Sequence, residues 1–242
     1  AANMMNEPTD EVTAALKPSW LKYFEWINPA ESLRYIGPDG GSHTSTPQHM
    51  DCNILCDPGG FSKTKATGGS RARAAIAVTG SLVEKGIHFL LDCYCEPESY
   101  QRCAQQVVEF CQRYPIRKVG IELAGQQVVF IDLVKRLVRE AGITVAFQDL
   151  KPSAKDKDAK ILELEPFFQN SQMYIGRGNQ FQEFIDQYTR FPRGRKDLLD
   201  CLSSGPQIWF KPKVTGGRSH EVRQQEEVNK YLQRRGLSPR GV

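Results

Sequence analysis

Three acidic residues, Asp57, Glu122 and Asp197, have the settings in this sequence best suited to chemistry: MDCNILCDPGG (50–60), KVGIELAG (118–125) and FPRGRKDLLDCLS (191–203). Each lies where an apolar strand ends or a helix begins. A carboxylate at the edge of a buried strand is costly to desolvate unless a positive charge neutralises it. Three brought together would repel one another. Divalent cations resolve that conflict, and hard oxygen ligands suit Mg²⁺ or Mn²⁺. Two such ions about 4 Å apart are a recurring device for phosphodiester hydrolysis. Asp200 follows Asp197 by one helical turn, shares its helix face and is a secondary metal ligand in this reading. Taken singly, each acid has a plainer use. Asp57 precedes Pro-Gly-Gly and suits a turn, Glu122 suits a strand end, and Asp197 suits the positive start of a helix.

A polyanionic substrate would need positive charge beside these acids. The net charge of +4 is modest, but its distribution is uneven. Lys63, Lys65, Arg71 and Arg73 fall together in the polar loop after Asp57, and Arg193, Arg195 and Lys196 directly precede Asp197. These are the candidate DNA-phosphate contacts. The alternative for each cluster is a solvated loop. The seven cysteines form no CxxC pair and the four histidines show no ligand spacing with them, which argues against zinc and for reduced thiols. No run of about 18 apolar residues occurs, so no membrane partner is expected. No GxxxxGKS/T loop occurs, so ATP hydrolysis is not expected.

The elements that would position the acids follow from periodicity. Residues 1–49 are punctuated by prolines and read as a linker and remnant preceding the main domain. Strands are predicted at 50–57, at 73–83 and at 87–95, the last two joined by a tight turn at Glu84–Gly86. A helix closed by Pro115, a strand KVGIEL, a helix ending near Gly142 and a strand TVAFQDL follow. Then come a helix over 155–170, a short strand SQMYIG, a helix stopped by Pro192 and a last helix carrying Asp197 and Asp200. The order describes an α/β domain over 50–210. In it, three antiparallel strands are followed by parallel strands in a mixed sheet flanked by helices. Parallel strands bring their C-terminal ends to one edge, where ligands bind. Residues 211–242 read as a basic, flexible tail. Asp92, at the end of the third strand, is assigned a structural role.

This order of strands and acids resembles the RNase H-like superfamily, and within it the C-terminal nuclease domain of tailed-phage large terminase subunits. The resemblance spans about residues 50–205. Its strongest part is AKILELEPFFQNSQMYIGRGNQFQEFIDQYTRFPRGRKDLLDCLS (159–203), which is similar to the family's pattern of a basic helix reading "LEP", a short strand, a helix ending in "FP" and then "DDxxDAL". Asp57 resembles the family's first-strand aspartate and Glu122 its second acid. The opening AANMMNEP (1–8) is similar to the segment that follows the ATPase domain in such proteins. Two departures stand out. Lys196 replaces the first Asp of "DD", and Ser70-Arg71-Ala72-Arg73 stands where the family often has an aspartate. The resemblance implies an endonuclease using two Mg²⁺ or Mn²⁺ ions that cuts concatemeric double-stranded viral DNA during packaging. It implies a portal protein, a small terminase subunit and an ATPase domain as partners, and a place in the host cytoplasm, at the procapsid portal. Two other readings of the same residues stay open: a resolvase- or transposase-like nuclease, and a catalytically silent DNA-binding module.

Overall fold

A computed structural model of the protein describes residues 15–59, 73–97, 99–122, 128–152, 154 and 156–209. The chain divides into Ala1–Phe210 and Lys211–Val242, and all described residues belong to the first unit. The expected basic tail, together with Lys63, Lys65 and Arg71, lies outside the described residues.

The described elements build one nine-stranded sheet in the order β3-β2-β1-β9-β6-β5-β4-β7-β8. Its centre is β4 (Asp51–Asp57), β5 (Ala74–Leu82) and β6 (Ile87–Glu96), a consecutive antiparallel meander. The β5–β6 turn passes through Gly86 at φ 61°, a left-handed conformation that glycine adopts without a Cβ penalty. β7 (Ile116–Glu122) joins β4 in parallel, and β8 (Ala146–Leu150) joins β7 in parallel. The mixed sheet of three antiparallel strands followed by parallel strands is therefore present as expected, with the C-terminal ends of β4 and β7 at one edge.

Helices cover both faces. α1 (Tyr100–Arg113) starts at Ser99, whose hydroxyl accepts from the Arg102 N–H and satisfies one donor of the first turn. It buries Cys103, Ala104, Val107 and Phe110, and Cys103 meets Cys56 of β4. α2 (Val128–Glu140) packs beside α1. On the opposite face β4 and β5 present Asn53, Leu55 and Asp57 alongside Thr79, Ala77 and Ala75. The small side chains of β5 let α6 (Asp197–Ser203) approach until the Cys201 thiol donates to the Leu55 and Ala75 carbonyls, at 3.3 and 3.4 Å.

Two expectations need correction. Residues 22–45, read as linker, form β1 (Lys22–Asn28), β2 (Ser32–Ile36) and β3 (Ser42–Ser45), an antiparallel extension of the sheet. β1 enters the sheet beside β9 (Met173–Gly176), which in turn pairs with β6 in parallel. Aromatic packing holds it there: Phe24 lies 5.7 Å from Phe89, Tyr35 5.0 Å from Phe89, and Phe89 5.4 Å from Tyr174, centroid to centroid. The prolines and glycines punctuate hairpin turns. Only Phe24 of β1 is buried, so the apolar alternation that marks a strand is faint. The helix expected over 155–170 is two short ones, α3 (Lys157–Leu162) and α4 (Glu165–Gln169), separated where Pro166 enters the first turn of α4. α5 (Gln182–Arg190) follows as expected.

Candidate metal centre

Asp57 ends β4, where the chain turns through Gly59. The Gly59 N–H donates to Asp57 Oδ1 at 2.9 Å, so the turn role and a site role coincide in one side chain. Gly59 has φ 69°, and a Cβ there would meet the Arg73 carbonyl oxygen at 2.8 Å, which fixes glycine at this close crossing. Burial, opposed by the Gly59 N–H and reinforced by the charges of Asp200 and Glu122, holds the Asp57 carboxyl above the usual carboxylate range. The same interactions place Asp57 within electrostatic reach of both other acids.

Glu122 ends β7 on the neighbouring strand. Its Oε2 accepts from Lys160 Nζ at 2.7 Å and from Ser204 Oγ at 3.2 Å. Lys160 also lies 3.1 Å from Asp200 Oδ1, and Lys157 lies 2.8 Å from Asp200 Oδ2. Burial works against the charge on both lysines, yet their contacts with Asp200 and Glu122 outweigh it and hold both above the usual lysine value. The centre is therefore an interleaved set, with Asp57, Glu122 and Asp200 around Lys157 and Lys160. Sequence reasoning did not single out either lysine or Ser204. The available signal was the spacing of Lys157 and Lys160, three apart on one short helix, beside an acidic cluster.

Asp197 opens α6 one turn before Asp200. The first turn of α6 is tied to α5 by the Gln187 side chain, which accepts from the Leu198 N–H at 2.8 Å. Asp197 Oδ2 accepts from Arg195 at 3.2–3.3 Å and influences Lys157 as well as Cys95. It therefore flanks the interleaved set, while Asp200, expected as secondary, sits within it. Lys196 forms an ion pair with Asp158 of α3, so its charge is directed to that helix. Arg73 lies 3.9 Å from Glu183 and, with Arg195 and Asp197, surrounds Cys95, whose thiol burial pushes up to about 12. Arg193 is exposed. Asp92 has the expected structural role: it accepts from Tyr114 at 3.0 Å and from Arg113 at 3.1 Å.

At the far end of the same sheet face, Asp51, Asn53, Ser81 and His88 form a second buried polar group. His88 shares a 2.8 Å hydrogen bond with Ser81, but the Asp51 carboxylate accepts from Asn53, so no acid-histidine-serine relay is assembled.

The donors at the sheet edge are carboxylate oxygens, which by their chemistry suit a hard divalent ion. Among the described residues no group of three or more His, Cys, Asp or Glu side chains is drawn together tightly enough to hold a metal ion by itself. Lys160 lies between Glu122 and Asp200, and Lys157 meets the other oxygen of Asp200. Among the described residues no helix is long and apolar enough to cross a membrane.

No family model matches the sequence, and no curated protein matches it at a significant level. Solved structures of similar chain path do exist. The large terminase nuclease from thermophilic phage G20c shares 12% identity over 82% of this chain and 98% of its own, with a TM-score of 0.45. The same nuclease with bound magnesium shares 10% identity over 78% of this chain and 94% of its own, with a TM-score of 0.48. The P22 large terminase nuclease domain shares 14% identity over 68% of this chain and 84% of its own, also with a TM-score of 0.48.

Proposed function

We propose that the protein is a metal-dependent DNA endonuclease of viral genome packaging, with its reacting centre at the β4–β7 edge. The observation that carries this reading is Asp57: a carboxylate whose charge is disfavoured by burial and by two neighbouring acids, at the edge where parallel strands end. Such a group gains most from an arriving cation. Asp57, Glu122 and Asp200, with Asp197 beside them, would hold it. When bound, a divalent ion activates water for attack and stabilises the charge of the leaving oxygen.

The chain's own groups orient the acids. The Gly59 N–H fixes Asp57, Ser204 and Lys160 fix Glu122, and Arg195 fixes Asp197. Arg73, Arg193 and Arg195, with Lys63, Lys65 and Arg71, would hold the duplex by its phosphates, while Lys196 is turned to Asp158. Cutting would therefore depend little on base sequence. The sequence resemblance supplies the biological setting: cleavage of concatemeric DNA at the procapsid portal in the host cytoplasm. The portal protein and small terminase subunit would be partners, and ATP hydrolysis would belong to a separate domain.

Plasmid cleavage with Mg²⁺, with Mn²⁺ and with EDTA tests the reading. Linear and nicked products with either metal, and none with EDTA, are expected. The lysines threaded among the acids favour one second reading, a silent DNA-binding module. DNA binding without cutting under every metal condition would establish that instead.

A further inference from the structure

We propose that Arg34 and Arg177 form a second phosphate-holding point for duplex DNA, on the β1–β2 extension of the sheet. The proposal rests on reading DNA as the substrate. It assigns a further part of the fold to the duplex and requires no metal ion.

Strand direction places the extension at the edge of the acids. β1 is parallel to β9 and β9 to β6, while β5 runs against both β6 and β4. β1, β9, β6 and β4 therefore all end at the edge that carries Asp57. Register places it on the same face. Asn53, Thr79, Leu90, Ile175 and Tyr23 pair in turn from β4 to β1, and Asn53 shares its face with Asp57. Glu25 follows Tyr23 onto that face by alternation, and Arg34 of β2 pairs opposite Glu25.

Glu25 lies 3.3 Å from Arg34 and 3.5 Å from Arg177, the residue that follows β9. One carboxylate thus faces two guanidinium groups, and one positive charge is left over. Arg177 is set in place. Its backbone N–H donates to the Phe24 carbonyl at 3.0 Å, and its guanidinium lies over the Tyr23 ring at 5.1 Å. Both arginines are more than half exposed. A guanidinium presents its donors as a fork that matches a phosphate. These two also continue a row. Arg73 precedes β5, and Arg195 lies near Cys95 of β6. Outward from Asp57 the row therefore reads Arg73, Arg195, Arg177, Arg34. Four strand spacings separate β4 from β1, which is about 19 Å. That span is about six base pairs of B-DNA, so one duplex over the acid edge would reach the extension. Ile27 and Ile36, exposed on the same two strands, would suit a protein partner. The uncompensated charge and the row of arginines favour a polyanion.

The test measures binding of a duplex of about two helical turns to the full chain. Fluorescence anisotropy across a salt series reads it, in EDTA so that nothing is cut. Arg34→Gln with Arg177→Gln should weaken binding. It should also flatten the slope of log affinity against log salt by about 1.8, for two phosphates at about 0.9 each. Glu25→Gln frees both arginines and should tighten binding about twofold to fivefold, the scale of the exposed ion pairs it removes. Arg136→Gln with Arg139→Gln removes the same charge from α2, on the opposite face, and should leave the slope as in the wild type. All the altered side chains are exposed, so the variants should fold, which circular dichroism checks. No gain with Glu25→Gln, or an equal loss in the α2 variant, would overturn the proposal. An unchanged slope in the Arg34 and Arg177 variant would overturn it too, and would leave this face to a protein partner. Plasmid cleavage decides the nuclease reading separately. Cutting with an unchanged slope removes this contact and keeps the nuclease. A flattened slope without cutting does the reverse.

Discussion

Asp57→Asn separates two properties of one carboxylate. It removes the charge proposed to hold the cation and keeps the side-chain shape and the acceptor for Gly59. Cleavage should fall by about 10²–10³-fold, the scale of losing one charge-stabilising group at a reacting centre. Stability should move the other way. The folded state raises the Asp57 pKa, chiefly through burial and the charges of Asp200 and Glu122. The cost of its charge is absent below the unfolded value, grows as pH rises through the carboxylate range, and is complete above the folded pKa. Metal-free Asp57→Asn should therefore melt above the wild type at about pH 7 and level with it at about pH 3, well into the acid side of the carboxylate range. Calorimetry at the two pH values checks this, and equal melting at neutral pH would remove the electrostatic account. Asp57 and Glu122 were legible in sequence because each ends a strand that reads clearly as apolar. The part played by Asp200 was not, because Asp197 and Asp200 share one helix face. Only the packing of α3 against α6 decides which of them meets the lysines.

At the scale of elements, α6 has to be held at both ends for its acids to face the sheet edge. Gln187 of α5 ties its first turn. Beyond its C-terminal end, Trp209 is buried, stacks on His88 at 4.2 Å and donates from Nε1 to Thr79 Oγ1 at 3.1 Å. Thr79→Val keeps the shape of the β5 side chain but leaves the indole N–H without its acceptor. That should cost about 1–3 kcal/mol, read as a lower denaturant midpoint with a shifted tryptophan emission. An unchanged midpoint would mean that the stacking alone anchors this end. The elements from β4 to β8 were largely readable, since period-2 and period-3.6 patterns there coincide with burial. The extension β1–β3 was not. Its strands bury few side chains, and what recruits them is the aromatic contact of Phe24 and Tyr35 with Phe89, which are far apart in sequence. The break between α3 and α4 was signalled by Pro166 but outweighed by the apolar stripe running through both.

On the proposed function, the whole molecule has to bring a polyanion to this edge. Lys63, Lys65, Arg71 and Arg73 lie in the segment joining the strand that ends at Asp57 to β5. Neutralising all four should weaken duplex binding on unrelated sequences alike. The slope of log affinity against log salt should flatten by up to about 0.9 for each phosphate left without its cation. Binding isotherms across a salt series measure it, and an unchanged slope would remove this segment from the DNA interface. The sheet that presents the edge is assembled in an order its connectivity imposes. β1 pairs with β2 and with β9, and β9 alone lies between β1 and β6. During synthesis the N-terminal strands emerge first, yet they cannot join the central meander until Met173–Gly176 has left the ribosome. Until then two open strand edges, those of β1 and β6, wait for the same four-residue strand. A nascent chain halted before Met173 would expose both, along with the apolar surface of Phe24 and Phe89, to other chains.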